Sequence, residues 1–335
     1  MRCRVSWIVA VAGAVAMLPA GLAGQDLSSP KCAGGGSGSV TLIAQDACQQ
    51  AYDVYQLVAP QLGLALAGGN ATAGTGSVLG GLGHFSVGIR ANVFGGLIPD
   101  TGFAQNTTGA QKRTLPTQSL PFGLPTADAA IGLFKGFPLA LTNVLGLDAL
   151  VSAEYIPTIH KEKFSLDPSS NWRFGFGVRV GLLSESIGFP GVSFTWIERD
   201  LPTINVTTLS GANNSNTLGI SDMQVKTHAW RIVASKSLRA FSVAAGAGRD
   251  AYDQSARISG TVTQSGLTGT ESVDAAQTLN RTNLFGDLSI NLPVLKIVFE
   301  VGDAAGGSVA TYNSFSGGRA DRSQVYGSFG IRLGR

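Results

Sequence analysis

Between Asn171 and Leu183 the chain alternates with a period of two. Trp172, Phe174, Phe176, Val178, Val180 and Leu182 interleave with Arg173, Gly175, Gly177, Arg179 and Gly181. In an extended strand successive side chains take opposite faces, so one face here is large and apolar and the other is arginine and glycine. The same two-faced rhythm runs through the chain from residue 82 onward. It predicts ten strands: Leu82–Phe94, Ala127–Lys135, Asn143–Ile156, Asn171–Leu183, Pro190–Arg199, Asp222–Ser235, Ala240–Asp250, Asn280–Asn291, Val294–Gly302 and Ser323–Leu333. In the first, Phe85, Val87, Ile89, Ala91 and Val93 oppose His84, Ser86, Gly88, Arg90 and Asn92. In the ninth, Leu295, Ile297, Phe299 and Val301 oppose Lys296, Val298 and Glu300.

The connections alternate in length. Short ones begin at residues 136, 184, 237 and 292, and long polar ones begin at 95, 157, 200, 251 and 303. Short turns at one end and long loops at the other, with an even strand count, are the layout of a membrane-spanning barrel. Both ends of a ten-stranded barrel then fall on the short-turn, periplasmic side. Residues 61–81 and 251–279 are the two places where further strands fit.

The stretch before residue 82 reads differently. Arg2 and Arg4 precede an apolar run from Trp7 to Leu18, followed by the small residues Ala20, Gly21, Ala23 and Gly24. This is the pattern of a secretory signal peptide, over 1–24, cleaved after Ala23 or Gly24. Residues 25–40 are rich in Gly and Ser. Thr41–Pro60 is helical in period, with Ile43, Ala47, Ala51, Val54 and Val58 on one stripe, and Pro60 is expected to end it. Residues 61–81 are small and flexible, and three readings stay open: a hatch in the barrel mouth, a first irregular strand, or a periplasmic linker. The domain plan is thus 1–24 signal peptide, 25–81 periplasmic helix and hatch segment, and 82–335 barrel.

Composition sharpens this plan. Beyond the signal peptide no apolar run of about 18 residues exists to form a spanning helix. Yet mean hydropathy is +0.20 and only 13% of residues are charged, which leaves a large secreted β-protein or a transmembrane barrel. A net charge of +3 gives no footprint for nucleic acid. Cys3 leaves with the signal peptide, so Cys32 and Cys48 remain in a compartment that allows oxidation, and they are expected to form a disulfide rather than a metal pair, since no histidine is near. A soluble β-sandwich is the competing fold. It is disfavoured because the apolar face persists on nearly every strand, whereas sandwich edges are blunted. Aromatics also gather at strand ends (Tyr155 and Trp172, Phe137, Phe189), as in an interfacial girdle.

With these features, residues 82–333 resemble the bacterial outer-membrane β-barrel class in an all-β, up-and-down antiparallel form. The resemblance implies a location in the bacterial outer membrane, contact with its lipid, and insertion by the barrel assembly machinery. Members often end in an aromatic residue; this chain ends Phe329-Gly330-Ile331-Arg332-Leu333-Gly334-Arg335 and departs from that pattern.

The faces opposite the apolar ones place Arg90, Asp148, Glu154, Arg173, Arg179, Arg199, Arg231, Asp287, Lys296, Glu300 and Arg332 in the lumen, seven basic against four acidic. These residues are read either as Arg–carboxylate pairs that fill the barrel or as the lining of a narrow pore that favours anions. No cofactor or metal is expected. The histidines are His84, His160 and His228. His84 and Ser86 form a His-x-Ser element similar to that of outer-membrane lipid A deacylases, but no partner glutamate can be assigned. The Asp-x-His element of ten-stranded outer-membrane proteases is missing, as are Gly-x-Ser-x-Gly, Walker and GxGxxG motifs. Asn70, Asn106, Asn205, Asn213 and Asn280 head glycosylation-like sequons that are read as products of Asn/Thr-rich loops. The expected function is therefore non-enzymatic: a porin-like channel for small solutes or a structural surface barrel. The alternatives are a transporter of hydrophobic or small ligands with an N-terminal hatch, and a lipid-modifying hydrolase.

Overall fold

The computed structural model describes residues 27–34, 36–72, 74–100, 102, 104–210 and 215–334. The signal peptide expected over 1–24, Cys3 and the sequon at Asn213 lie outside these residues. Among them ten long strands pair antiparallel in chain order: β1 (Phe85–Pro99), β2 (Thr117–Phe134), β3 (Gly146–Tyr155), β4 (Trp172–Leu183), β5 (Gly191–Asp200), β6 (Asn216–Leu238), β7 (Phe241–Gln264), β8 (Leu267–Asn291), β9 (Leu295–Ala304) and β10 (Gln324–Gly334). β10 then pairs with β1, for example Phe329 with Ala91, and closes the ring. A closed ring has no edge, so every wall strand finds a backbone partner on both sides. Thirteen strands belong to the main sheet. The three beyond the ring are Ile204–Ser210, Phe164–Pro168 and Ile159–Lys161, which extend the upper edge of β6. About ten strands thus describes the wall, and the sheet as a whole is larger.

Exposure along the lower half of each strand is the reverse of a soluble protein. Phe176 is 63% exposed, Ile89 64% and Val301 66%, while Arg179 and Asp148 are fully buried. Apolar side chains outside and charges inside are what lipid demands of a barrel wall. Trp196 and Trp230 sit opposite one another at the upper limit of the apolar band, and Tyr155 packs on Trp172 with ring centroids 5.0 Å apart.

Above that limit the pattern inverts. β6, β7 and β8 continue past the band, and their inward residues become apolar: Leu218, Ile220, Met223 and Val225, then Ile258 and Val262, then Ala275 and Leu279, all buried. Outward positions become Gln, Ser, Thr, Asp and Lys. The loop expected over 251–279 is therefore corrected. It is the upper part of β7 and β8, joined by a two-residue turn in which Ser265 (φ 52°) and Gly266 (φ 78°) both have positive φ, the geometry that joins strands most tightly. Likewise the loop expected over 200–221 contains Ile204–Ser210 and the start of β6, the loop over 157–170 folds as the Ile159–Lys161/Phe164–Pro168 hairpin, and β1 and β2 pair up to Pro99 and Thr117.

The inverted face packs on a single helix, α1 (Ser39–Ala67), 29 residues long and buried on all sides over most of its length. The helix does not stop at Pro60. Proline removes one intrahelical bond, but Gln61 adds a side-chain donor to Leu57 O at 2.9 Å, and the wall encloses the helix all round. Leu62, Leu64 and Leu66 stay buried in the last turns. The segment expected on the periplasmic side instead occupies the barrel. Leu27 N donates to Thr311 O at the long-loop end. α1 descends from there, and residues 68–72 and 74–81 continue down the lumen to the start of β1 at the short-turn end, where Leu79 N meets Asp148.

Candidate functional site

The lumen is built around the lower end of α1. A helix leaves its last four carbonyls without intrahelical donors, and this helix has no basic residue in its last turn. The cap residue Gly68 supplies one of the missing donors and the wall the other three. Leu64 O accepts from Gly68 N at 2.7 Å, Ala65 O from Asn92 Nδ2 at 3.4 Å, Leu66 O from Arg199 Nη1 at 3.4 Å, and Ala67 O from Arg231 Nη2 at 3.1 Å. Gly68 O then accepts from Arg90 Nη1 at 2.8 Å and Asn92 Nδ2 at 2.5 Å. Three arginines thus face the negative end of the helix dipole, an arrangement that stabilises by up to about 2 kcal/mol per cation where partly buried.

Each arginine is also matched by a carboxylate. Arg90 Nε lies 2.5 Å from Asp128, Arg199 lies 3.3 Å from both Asp128 and Glu154, and Arg231 pairs with Asp250. Asp250 further accepts from Tyr252 Oη and Asn283 Nδ2, at 3.3 and 3.2 Å. Buried charges are tolerable only when paired and hydrogen-bonded, and here the pairing is shared between wall and plug.

Below the helix the same wall charges hold the backbone of residues 68–72 and 74–81. Glu300 accepts from Asn70 N at 2.9 Å, and Asp287 accepts from Asn70 Nδ2 at 3.1 Å and Gly74 N at 3.2 Å. Lys296 donates to Gly74 O at 3.1 Å and Arg332 to Thr72 O at 3.0 Å. Arg179 donates to Asp148 through Nε and Nη2 at 2.8 and 2.6 Å, while Asp148 accepts Leu79 N at 3.2 Å.

Ten of the eleven lumen residues named from sequence therefore face the plug or one another there. Arg173 does not. It stands half-exposed at the upper end of β4, 3.8 Å from Asp200. The sequence reading set Asn92 on the face of Arg90 without giving it a role, and it passed over Asp128, Asp250 and Asn70. Asp128 lies in phase with Arg90 across the β1–β2 pairing, a signal that was available. Asn70 acts largely through its backbone, which no residue pattern reports.

The upper mouth has its own polar clasp. Asp53 of α1 accepts from Tyr312 N, Asn313 N and Asn313 Nδ2 at 2.9, 3.0 and 2.8 Å. Burial pushes its carboxyl up to about 6, against the opposing pull of the hydrogen bonds from Asn313 and Tyr312. Asp46 pairs with Arg113 and accepts Asn106 N at 2.8 Å. Cys32 and Cys48 form a disulfide that ties the strap at residues 27–34 to α1, and Gln49 Oε1 accepts Lys31 N and Cys32 N.

The three histidines lie on separate elements. His84 is exposed ahead of β1, whereas Ser86 faces the lumen and is 6% exposed. His160 contacts Asp167 at 3.2 Å on the outer surface, and His228 contacts Glu198 at 2.8 Å on the outward face of β6. Among the described residues no cluster of three or more His, Cys, Asp or Glu could hold a metal ion.

A closed antiparallel ring, apolar outside and charged inside, is the architecture of a transmembrane β-barrel. No family model matches the chain, and no curated protein matches it. Among solved structures, the β-domain of the Bordetella autotransporter BrkA is 10% identical with a TM-score of 0.35, over 75% of this chain and 100% of that one. The transport unit of the autotransporter AIDA-I from Escherichia coli is 9% identical with a TM-score of 0.20, over 86% and 98%. An anion-selective porin from Comamonas acidovorans is 8% identical with a TM-score of 0.17, over 75% and 98%. The assignment rests on the pairing and exposure of this chain's own strands.

Proposed function

We propose that this chain is a non-enzymatic outer-membrane barrel that is closed by its own N-terminal segment and holds that segment at the cell surface. In this reading the signal peptide directs export, the assembly machinery inserts the wall, and the long-loop end faces outward. The carrying observation is the path of the chain: Leu27 is bonded to Thr311 at the long-loop end, while Leu79 reaches Asp148 near the short-turn end. The charged residues named from sequence as a possible pore lining are instead engaged with the plug or with a neighbour of opposite sign, which favours a structural barrel over an open anion pore. An epitope inserted just ahead of Leu27 tests the topology. Antibody should bind it on intact cells, and binding only after the outer membrane is permeabilised would sink the reading.

A gated transporter is the second reading, and one contrast favours it. α1 is held by apolar packing along β6, β7 and β8 together with the polar contacts at its two ends, whereas residues 68–72 and 74–81 are held chiefly by bonds from their backbone to wall charges. Planar-bilayer recording separates the two. A structural barrel gives no steady conductance, and a gated one gives bursts that lengthen when Arg332→Met removes the bond to Thr72.

A further inference from the structure

The outward face of β6, β7 and β8 changes character just above the tryptophan belt. Cross-strand register fixes the rows. Trp196, Trp230, Arg249 and Thr282 form one row; Glu198, His228, Ala251 and Asn280 the next; Asp200, Lys226, Asp253 and Thr278 the third. Rows on one face of a strand are two residues apart, about 6.7 Å along it. Arg249 therefore stands at the upper limit of the apolar band and Lys226 about 13 Å further up the strands. Level with Lys226 and above it, two rows above Arg249, lies an open groove of about 410 Å³, lined by Gln224, Lys226, Asp253, Ser255, Ala276 and Thr278. Two small residues, Ser255 and Ala276, form part of its lining, and Ala251 lies in the row between it and Arg249.

Neighbouring charges on this face are already engaged. Glu198 and Asp253 both turn to His228, at 2.8 and 3.7 Å, and Arg257 lies 3.6 Å from Asp274. Arg249 and Lys226 are exposed, and among the described residues neither takes part in an ion pair. Two free cations at these heights, on the direct upward continuation of the lipid-facing wall, match the polar layer of the surrounding bilayer.

We propose that this groove, together with the wall face that runs down from it to Arg249, is a headgroup site for a phosphorylated glycolipid of the outer leaflet. A phosphate at the level of the acyl–headgroup boundary meets Arg249, while Trp230 beside it packs on the adjoining acyl region. The sugar rises over Ala251 and Ala276 and exchanges hydrogen bonds with Gln224, Ser255 and Thr278, and a second anionic group reaches Lys226. A simple glycerophospholipid fills only the lower row, so the site discriminates by height as well as by charge. The inference rests on the barrel being a membrane protein with its long loops outward.

The test uses the full chain in detergent, offered an equimolar mixture of a bis-phosphorylated diglucosamine lipid and phosphatidylglycerol and read by native mass spectrometry. The wild type should retain the glycolipid in preference. The double variant Lys226→Ala, Arg249→Ala should lose that retention by about tenfold, since each cation near a membrane surface strengthens anion binding several-fold. Lys161→Ala, an exposed lysine on the same side but off this face, should retain it fully. Equal retention by the double variant, or equal retention of the two lipids, overturns the site. A wild type that binds neither lipid while remaining in micelles also overturns the site and leaves the barrel standing. A chain that partitions into water without detergent overturns the membrane reading itself.

Discussion

Arg231 donates to the carbonyl oxygen of Ala67 at 3.1 Å, so a wall cation terminates the helix that fills the lumen. The same guanidinium pairs with Asp250, which is fully buried. Removing Arg231 would leave a buried carboxylate unpaired and a helix carbonyl without a donor. Arg231→Met is expected to cost about 3–5 kcal/mol, read as a lower temperature for the heat-induced mobility shift on a gel. The double variant Arg231→Met, Asp250→Asn should recover part of that loss, because the stranded charge is gone. Equal mobility-shift temperatures for wild type and Arg231→Met would refute the clamp.

The Cys32–Cys48 bond closes a loop with a sequence separation of 16. In the chain-entropy model a loop of this size is worth about 3 kcal/mol. Its stabilising effect falls on the strap and not on the wall, since both cysteines lie before β1. Replacing both with serine should let an external protease cut within residues 27–38 while the wall keeps its mobility-shift temperature. A wall that melts early in this variant would show that the strap is integral to the barrel.

Asp53 gives the outer mouth a pH dependence. Its ordinary value is 3.8 and burial raises it to about 6 in the folded chain. A raised value means the folded state favours the protonated carboxyl. Stability from this group is fully present below about pH 4, is lost as pH rises through about 6, and stays lost above. The difference between the folded and ordinary values is equivalent to about 3 kcal/mol. Asp53→Asn does not titrate, so wild type should gain on the variant by up to that amount as the pH is lowered from neutral to about 4 in chemical unfolding. A difference that is flat across this range would sink the assignment.

The sequence was legible where lipid sets the rule. In the membrane band outward positions are largely apolar, so alternation found all ten wall strands and lumen residues on eight of them, leaving Asp128 on β2 and Asp250 on β7 unplaced. Above the band the outward rule lapses, and the apolar positions move inward to meet α1. Tyr252, Ile258 and Val262 carry that second alternation, but beside Thr, Ser and Gly it reads as a polar loop. Arg173 illustrates a different limit. Its phase is the lumen phase of β4, but phase does not report height, and at the strand end it meets solvent. The plug clamp was beyond reach because its acceptors are the backbone oxygens of Leu66, Ala67 and Gly68. Pro60 misled for a related reason: a helix enclosed on all sides tolerates a proline that would end an exposed one.

Close contact between α1 and the upper wall depends on particular glycines. A Cβ on Gly260 would run into the backbone nitrogen of Cys48 and lie 2.8 Å from Ala44 O. Both are helix backbone, which cannot swing aside as a side chain tip can. Gly260→Ala must therefore push α1 away from β7, and overpacking of this kind costs about 1–3 kcal/mol. Gly188, in the short turn between β4 and β5, has nothing within 4 Å of such a Cβ, and Gly188→Ala should leave stability unchanged or slightly raised. Comparing the two variants by thermal unfolding isolates the contact, since both change glycine to alanine. The wall is shared by both outcomes, so a loss at Gly260 should appear first as protease access to α1 from the outer mouth. Wild-type stability and protection in Gly260→Ala would mean that the helix does not rest against β7 at this point.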